Sequence, residues 1–239
     1  MRKILYSFAL FVLFSSLLFI SSCSNVVVVD GHVATIAEIY TSGGSSAAYN
    51  YAFAYDQYGR RIQQIYTQAG TSDTTATTYS SYSYVNDTTR SFGILSTNTY
   101  YLDAGLETHD KSGIHYSYDN NGYLITSGIP PNVTVNTISN GNIVKSIQYQ
   151  PGVDTITTTY TPAINRDYRN FGVNFNGKPN QNLTATSQQI TSQSGTLSTV
   201  NGVYTYTFDG HGRVKTMNVT YTGTGFTATD DFVFTYTTQ

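Results

Sequence analysis

His109, Asp110 and His115 form the one cluster in this chain whose residue types could hold a metal ion or move a proton. Their spacing matches no established zinc pattern, so they are read as a turn beside a strand. Of the other two histidines, His32 stands alone and His211 lies between two turn glycines, where solvent exposure is expected. Asp119-Asn-Asn-Gly122 begins like a calcium loop but lacks the later ligands and the bidentate glutamate. Asp230 and Asp231 are adjacent, and on a strand adjacent side chains point to opposite faces. They therefore cannot serve together as an acid and a base. Gly43-Gly-Ser45-Ser-Ala47 lacks the last glycine of a nucleophile elbow, and no helix follows it. No group of residues argues for catalysis, a cofactor or a metal, so the expectation is a protein that is not an enzyme.

The tyrosines are the more informative material. In Tyr204-Thr-Tyr-Thr-Phe208 the rings fall on one face of an extended backbone, and Thr205 and Thr207 fall on the other. Asp209 can then accept local backbone N–H groups, and Gly212 supplies the positive φ that closes a turn. The same device recurs at Tyr55-Asp-Gln-Tyr-Gly59-Arg and Tyr118-Asp-Asn-Asn-Gly122-Tyr. A row of rings on a strand is usually core or a cross-strand ladder. It can also stack on sugars or line a site for an apolar ligand. Residues 162–180 lose the periodicity and carry Arg166, Arg169 and Lys178. Loops of that length tend to be functional or disordered, and a solvated connection is the plainer reading. Arg166, Arg169, Lys178, Tyr204 and Tyr206 are the candidate ligand-binding residues.

The elements that must position them are strands. The chain holds 37 threonines and 22 tyrosines, and its only glutamates are Glu38 and Glu107. Such material favours sheet over helix. Roughly 14 to 16 strands are expected over residues 33–239, joined by turns too short for crossovers. Among the expected turns are 86–87, 140–141 and 201–202, with polar loops at 69–75 and 162–180. So many strands must curl, and the expected fold is all-β: a single antiparallel meander forming a barrel-like or strongly curved sheet, rings inside and hydroxyls outside. An integral outer-membrane barrel would need apolar residues where this chain places Thr and Ser.

The first 22 residues form an address. Arg2 and Lys3 precede an uncharged apolar run over residues 4–20 and the small pair Ser21-Ser22, the pattern of a secretory signal. Ile20-Ser-Ser-Cys23 resembles the lipobox of bacterial lipoproteins, which implies that Cys23 is lipidated and heads the mature chain. It is the single cysteine, so no intrachain disulfide can form. Residues 23–32 would then be a tether, and the protein would reach the membrane through its lipid without spanning it. Beyond the signal, 10 basic residues face 14 acidic ones, which gives nucleic acid no basic patch.

The Tyr/Phe-Asp-x-x-Gly hairpins behind a lipobox resemble an uncharacterised bacterial lipoprotein family with a porin-like fold. They also resemble the YD repeats of large secreted toxin shells, although the copies here lack a regular period. The resemblance implies a cell-envelope lipoprotein at the outer membrane, a monomer with a structural or binding role. The alternative is a glycan-binding or lipid-carrier module that uses an aromatic-lined concave surface. Finally, Asp73-Thr74-Thr, Asp87-Thr88-Thr and Asp154-Thr155-Ile resemble a bacterial O-glycosylation sequon and are expected at loops or strand edges.

Overall fold

The computed structural model describes residues 31–56, 58–80, 84–91, 94–150, 153–169, 171, 175–193 and 195–237. The expected signal segment, Cys23 and most of the tether lie outside them. Sixteen strands follow one another: β1 (Val33–Ser42), β2 (Ser45–Tyr55), β3 (Arg61–Gln68), β4 (Thr71–Ser80), β5 (Tyr84–Ser91), β6 (Ile94–Asp103), β7 (Leu106–Asp110) and β8 (His115–Tyr118). Then come β9 (Leu124–Ile129), β10 (Asn132–Ser139), β11 (Asn142–Gln150), β12 (Val153–Arg166), β13 (Asn182–Gln193), β14 (Thr196–Phe208), β15 (Val214–Gly223) and β16 (Phe226–Tyr236). Each pairs antiparallel with its sequence neighbour, and β16 returns to pair with β1, so the meander is a closed barrel.

Closure leaves no free edge for other chains to extend. At the seam Ile36 faces Phe234 and Thr41 faces Thr229, and Thr237 N–H donates to the His32 carbonyl at 2.8 Å. The barrel end holding His32 and Thr237 is called the near end below, and the opposite one the far end.

Three near-end hairpins share one geometry. Asp209 Oδ1 accepts the N–H groups of His211 and Arg213, each at 2.9 Å, and its other oxygen accepts Arg213 Nε at 2.7 Å. Asp56 does the same with Tyr58 and Arg60, and Asp119 Oδ1 accepts the N–H groups of Asn121 and Tyr123. Gly212 sits at φ 76°, a conformation that costs a residue with a Cβ far more than glycine. A fourth copy, unrecognised in the sequence reading, joins β7 to β8 at the far end. Asp110 Oδ1 accepts Ile114 N–H at 2.9 Å, and Gly113 takes the positive φ.

The two-residue rhythm sorts the faces. On β14, Tyr204 and Tyr206 turn inward and pack on the core, while Thr205 and Thr207 are exposed outside. On β16, Ala228, Phe232 and Phe234 are buried between exposed Thr227, Asp231, Val233 and Thr235. Outside, polar side chains pair across strands: Thr35 with Thr235 at 2.7 Å, Thr207 with Thr216 at 2.6 Å, Gln188 with Asn201 at 3.0 Å, and Asn218 with Asp231 at 2.6 Å. Ser117 and Thr126 pair likewise. Exposed apolar residues such as Ile39, Leu197, Val203 and Val233 are scattered among these pairs.

Several expected turns are strand interior instead. Asn86 and Asp87 lie within β5: Asp87 points inward and accepts the Thr77 hydroxyl at 2.6 Å, while Asn86 accepts the Thr99 hydroxyl at 2.8 Å. Asn201-Gly202 lies within β14, where a Cβ on Gly202 would stand 2.6 Å from Ser187 Oγ. That glycine serves a close approach of strands rather than a turn. Residues 69–75 shrink to a tight Ala69-Gly70 turn, and β12 runs through Pro162 to Arg166 by shifting register. Thr74, Thr88 and Thr155 all sit inside laddered strands, not at the loops or edges expected of them.

Candidate functional site

Sixteen strands can enclose a water-filled channel. In this barrel one side of the lumen is filled, because the near-end connection over residues 167–181 folds inward. Phe171 is only 3% exposed and meets Phe53 edge-on at 6.1 Å. Phe175 packs on Tyr79 and Tyr100, and its carbonyl accepts Glu107 N–H at 2.9 Å. Lys178 N–H donates to the Gly122 carbonyl, and Gln181 N–H to that of Gly141. The connection is thus tied across the lumen to several distant strands.

Beneath it lies the cavity that holds three of the five candidate ligand-binding residues. Arg169 makes a two-pronged pair with Asp167 at 2.8 and 2.5 Å and places its third nitrogen 3.7 Å from Met217 sulfur. Tyr204 and Tyr206 line the same space, together with Tyr160, Tyr221 and Phe232. Burial pushes the phenols of Tyr160, Tyr204 and Tyr206 up, so all three stay neutral. Tyr206 donates to the Thr184 carbonyl at 2.8 Å. The free volume is about 80 Å³. A cavity of roughly 150 Å³ is needed to admit even benzene, so this one has room for a few waters and nothing larger. The other two candidates lie elsewhere. Arg166 is exposed at the end of β12, and Lys178 is exposed with its ammonium 5.9 Å from the Tyr123 ring centre.

The filled side also buries acids. Glu38 and Asp230, each 1% exposed, point into the lumen from β1 and β16. Glu38 accepts the Tyr51 phenol at 3.3 Å, while its other oxygen and one Asp230 oxygen have no hydrogen-bond partner among the described residues. Burial pushes Glu38 up to about 7, against the opposing bond from Tyr51. Burial, and then the neighbouring Glu38, push Asp230 up to about 8. Across the lumen, burial pushes Glu107 up to about 8 although the Tyr116 phenol bonds to it. A carboxyl without a cation or enough donors is cheapest to bury protonated.

His109 and His115 face each other on the outer wall, ring centres 6.0 Å apart, with Tyr101 stacked on His109 at 4.5 Å. Asp110 points away from them, its carboxylate taken by Ile114 N–H and by Asn98 at 2.9 Å. Among the described residues no group of three or more His, Cys, Asp and Glu side chains is placed to share a metal ion.

A second cavity, larger and unforeseen, occupies the lumen between β3 and β7. Its volume is about 660 Å³, and Arg61, Gln64, Thr75, Asp87, Thr89, Asn98 and Tyr100 line it. The sequence hid it because β4, β5 and β6 carry polar residues on both faces. A hint lay in the inward phase itself, where the tyrosine rhythm of β2 and β14 gives way to Gln, Thr, Asp and Asn.

No family model matches the chain, and no curated protein matches it. Among solved structures, it resembles the crystal structure of a porin-like protein from Bacteroides uniformis ATCC 8492, with a TM-score of 0.59 and 16% identity. The match covers 87% of this chain and 96% of that one. At such identity the likeness shows the fold: a porin-like closed barrel.

Proposed function

We propose that this chain is a lipid-anchored cell-envelope protein, held at the outer membrane through Cys23, whose barrel stands in water and has a binding or structural role rather than an enzymatic one. One observation carries the reading: the outer wall is laced with Thr, Ser, Asn, Gln and Asp pairs where a spanning barrel needs apolar residues. A membrane attachment for such a barrel has to come from elsewhere, and the lipobox-like Ile20-Ser-Ser-Cys23 offers it. The resemblance to a porin-like protein is compatible with an envelope location. The test is fractionation of cells that express the protein or its Cys23→Ser variant. The wild type is expected with the membranes and the variant in the soluble fraction; a variant that stays with the membranes rejects the anchor.

A carrier of apolar cargo on the tyrosine-lined side is the weaker reading. Its cavity of about 80 Å³ has no room for an acyl chain unless the connection over residues 167–181 leaves the lumen.

A further inference from the structure

The larger cavity is a polar vestibule. Tyr100 is the aromatic ring in its lining, and it packs in turn on Phe175 at 5.6 Å. Its mouth opens at the far end beside the exposed Lys111 and Ser112 of the β7–β8 turn. At about 660 Å³ it falls within the roughly 300–1,000 Å³ typical of small-molecule sites.

The walls decide what fits. Arg60, Arg169 and Arg213 are each held by a carboxylate at 2.5 to 2.7 Å. Arg61 differs: its guanidinium, 5.8 Å from the Phe53 ring centre, makes no hydrogen bond to any described residue. The Gln64 amide likewise has no partner among them. Two strands along the same wall, on β5, Asp87 spends one oxygen on Thr77 and also takes a bond from Tyr100. The Thr75 and Thr89 hydroxyls bond to each other at 3.0 Å, which leaves one O–H proton and several lone pairs for another molecule.

Unspent donors on β3 and acceptors on neighbouring β4 and β5 suit a molecule whose groups both donate and accept. Arg61 and Asp87 cancel in charge, so the interior favours neither an anion nor a cation. An apolar ligand would strip these groups of water without replacing their bonds. We propose that this vestibule binds a neutral oligosaccharide: its hydroxyls bridge Arg61, Gln64 and Asp87, and a C–H face of one ring lies on Tyr100. The inference rests on the reading of the barrel as a binding module, but not on the lipid anchor.

The test is calorimetric titration of the full-length protein in an amine-oxide detergent, which avoids detergents that carry a sugar headgroup. The panel holds neutral tri- to hexasaccharides of glucose, mannose, xylose and N-acetylglucosamine, an oligogalacturonate, and palmitate. At least one neutral oligosaccharide is expected to bind. Gln64→Ala or Arg61→Ala should weaken it by about tenfold or more, the effect of losing hydrogen bonds to a buried ligand. Ser96 lines the cavity on β6, and Ser96→Trp should abolish binding by filling it, while Lys215→Ala, at an exposed position of β15, leaves binding unchanged. Circular dichroism confirms that each variant is folded, and Gln64→Ala and Ser96→Trp carry the test if Arg61→Ala is not. No neutral binder in the panel, binding of the oligogalacturonate or palmitate alone, or binding indifferent to Gln64→Ala and Ser96→Trp overturns the proposal. A protein that binds no saccharide yet follows Cys23 into the membrane fraction would sink this site and leave the anchor standing.

Discussion

Glu38, Asp230 and Glu107 give the barrel a pH dependence of opposite sign to that of its turns. Their native values of about 7, about 8 and about 8 lie above those of an unfolded chain. The native state therefore keeps protons that the unfolded chain sheds above about pH 4, and this stabilisation is lost as pH rises through about 7 to 8. Asp56 and Asp209 behave oppositely. Burial alone would raise them, but N–H groups and Arg60 or Arg213 outweigh it and hold them low. Their contribution is present above about pH 4 and lost below it. Thermal unfolding followed across pH should peak near about pH 5 and decline toward 8. Glu38→Gln and Asp230→Asn should flatten that decline, whereas a midpoint that rises from pH 5 to 8 would show these carboxyls ionised in the folded protein. Asp209→Ala removes a carboxylate from two N–H groups and a guanidinium, so a loss of about 1–3 kcal/mol is expected in denaturant unfolding. At this scale the sequence was readable where the chemistry is local. The Asp-x-x-Gly turns at 56, 119 and 209 could be read directly, because each bond spans no more than four residues. The copy at Asp110 was harder to read because His109 stands where the other three have Tyr55, Tyr118 and Phe208.

Among the elements, the connection over residues 167–181 departs furthest from a plain meander. Its lost periodicity marked it as non-strand, but nothing local says that Phe171 and Phe175 turn into the lumen. Their partners are Phe53, Tyr79 and Tyr100, some 70 to 120 residues earlier. Phe171→Ala should cost about 3–5 kcal/mol, measured as a lowered denaturant midpoint with an unchanged slope. A change below about 0.5 kcal/mol would mean that the ring is not packed. Asp167→Asn should be comparably costly, since it strands the Arg169 charge under the roof of the lumen. Strand interiors that contain turn-forming residues were misread for a related reason. Asn201-Gly202 and Asn86-Asp87 are favoured turn pairs locally, yet Gly202 faces Ser187 and Asp87 faces Thr77 on neighbouring strands. Cross-strand partners prevailed over local preference.

Over the whole molecule, the alternation of rings and hydroxyls was enough to foresee an antiparallel meander that curls, and the structure closes it into a barrel. The alternation was not enough to foresee how the lumen divides. One side is packed with tyrosine, phenylalanine and buried acids, and the other is a polar vestibule. Both follow from a single asymmetry: the inward positions of β1, β2 and β14 to β16 are largely aromatic or aliphatic, and those of β4 to β6 are largely polar. In the proposed function the outer wall faces water rather than lipid. The direct measurement is light scattering after gel filtration, without detergent, on a form that begins at Ser24. A single monomeric peak with a strand-rich circular dichroism spectrum is the expected result; aggregation relieved only by detergent would contradict it.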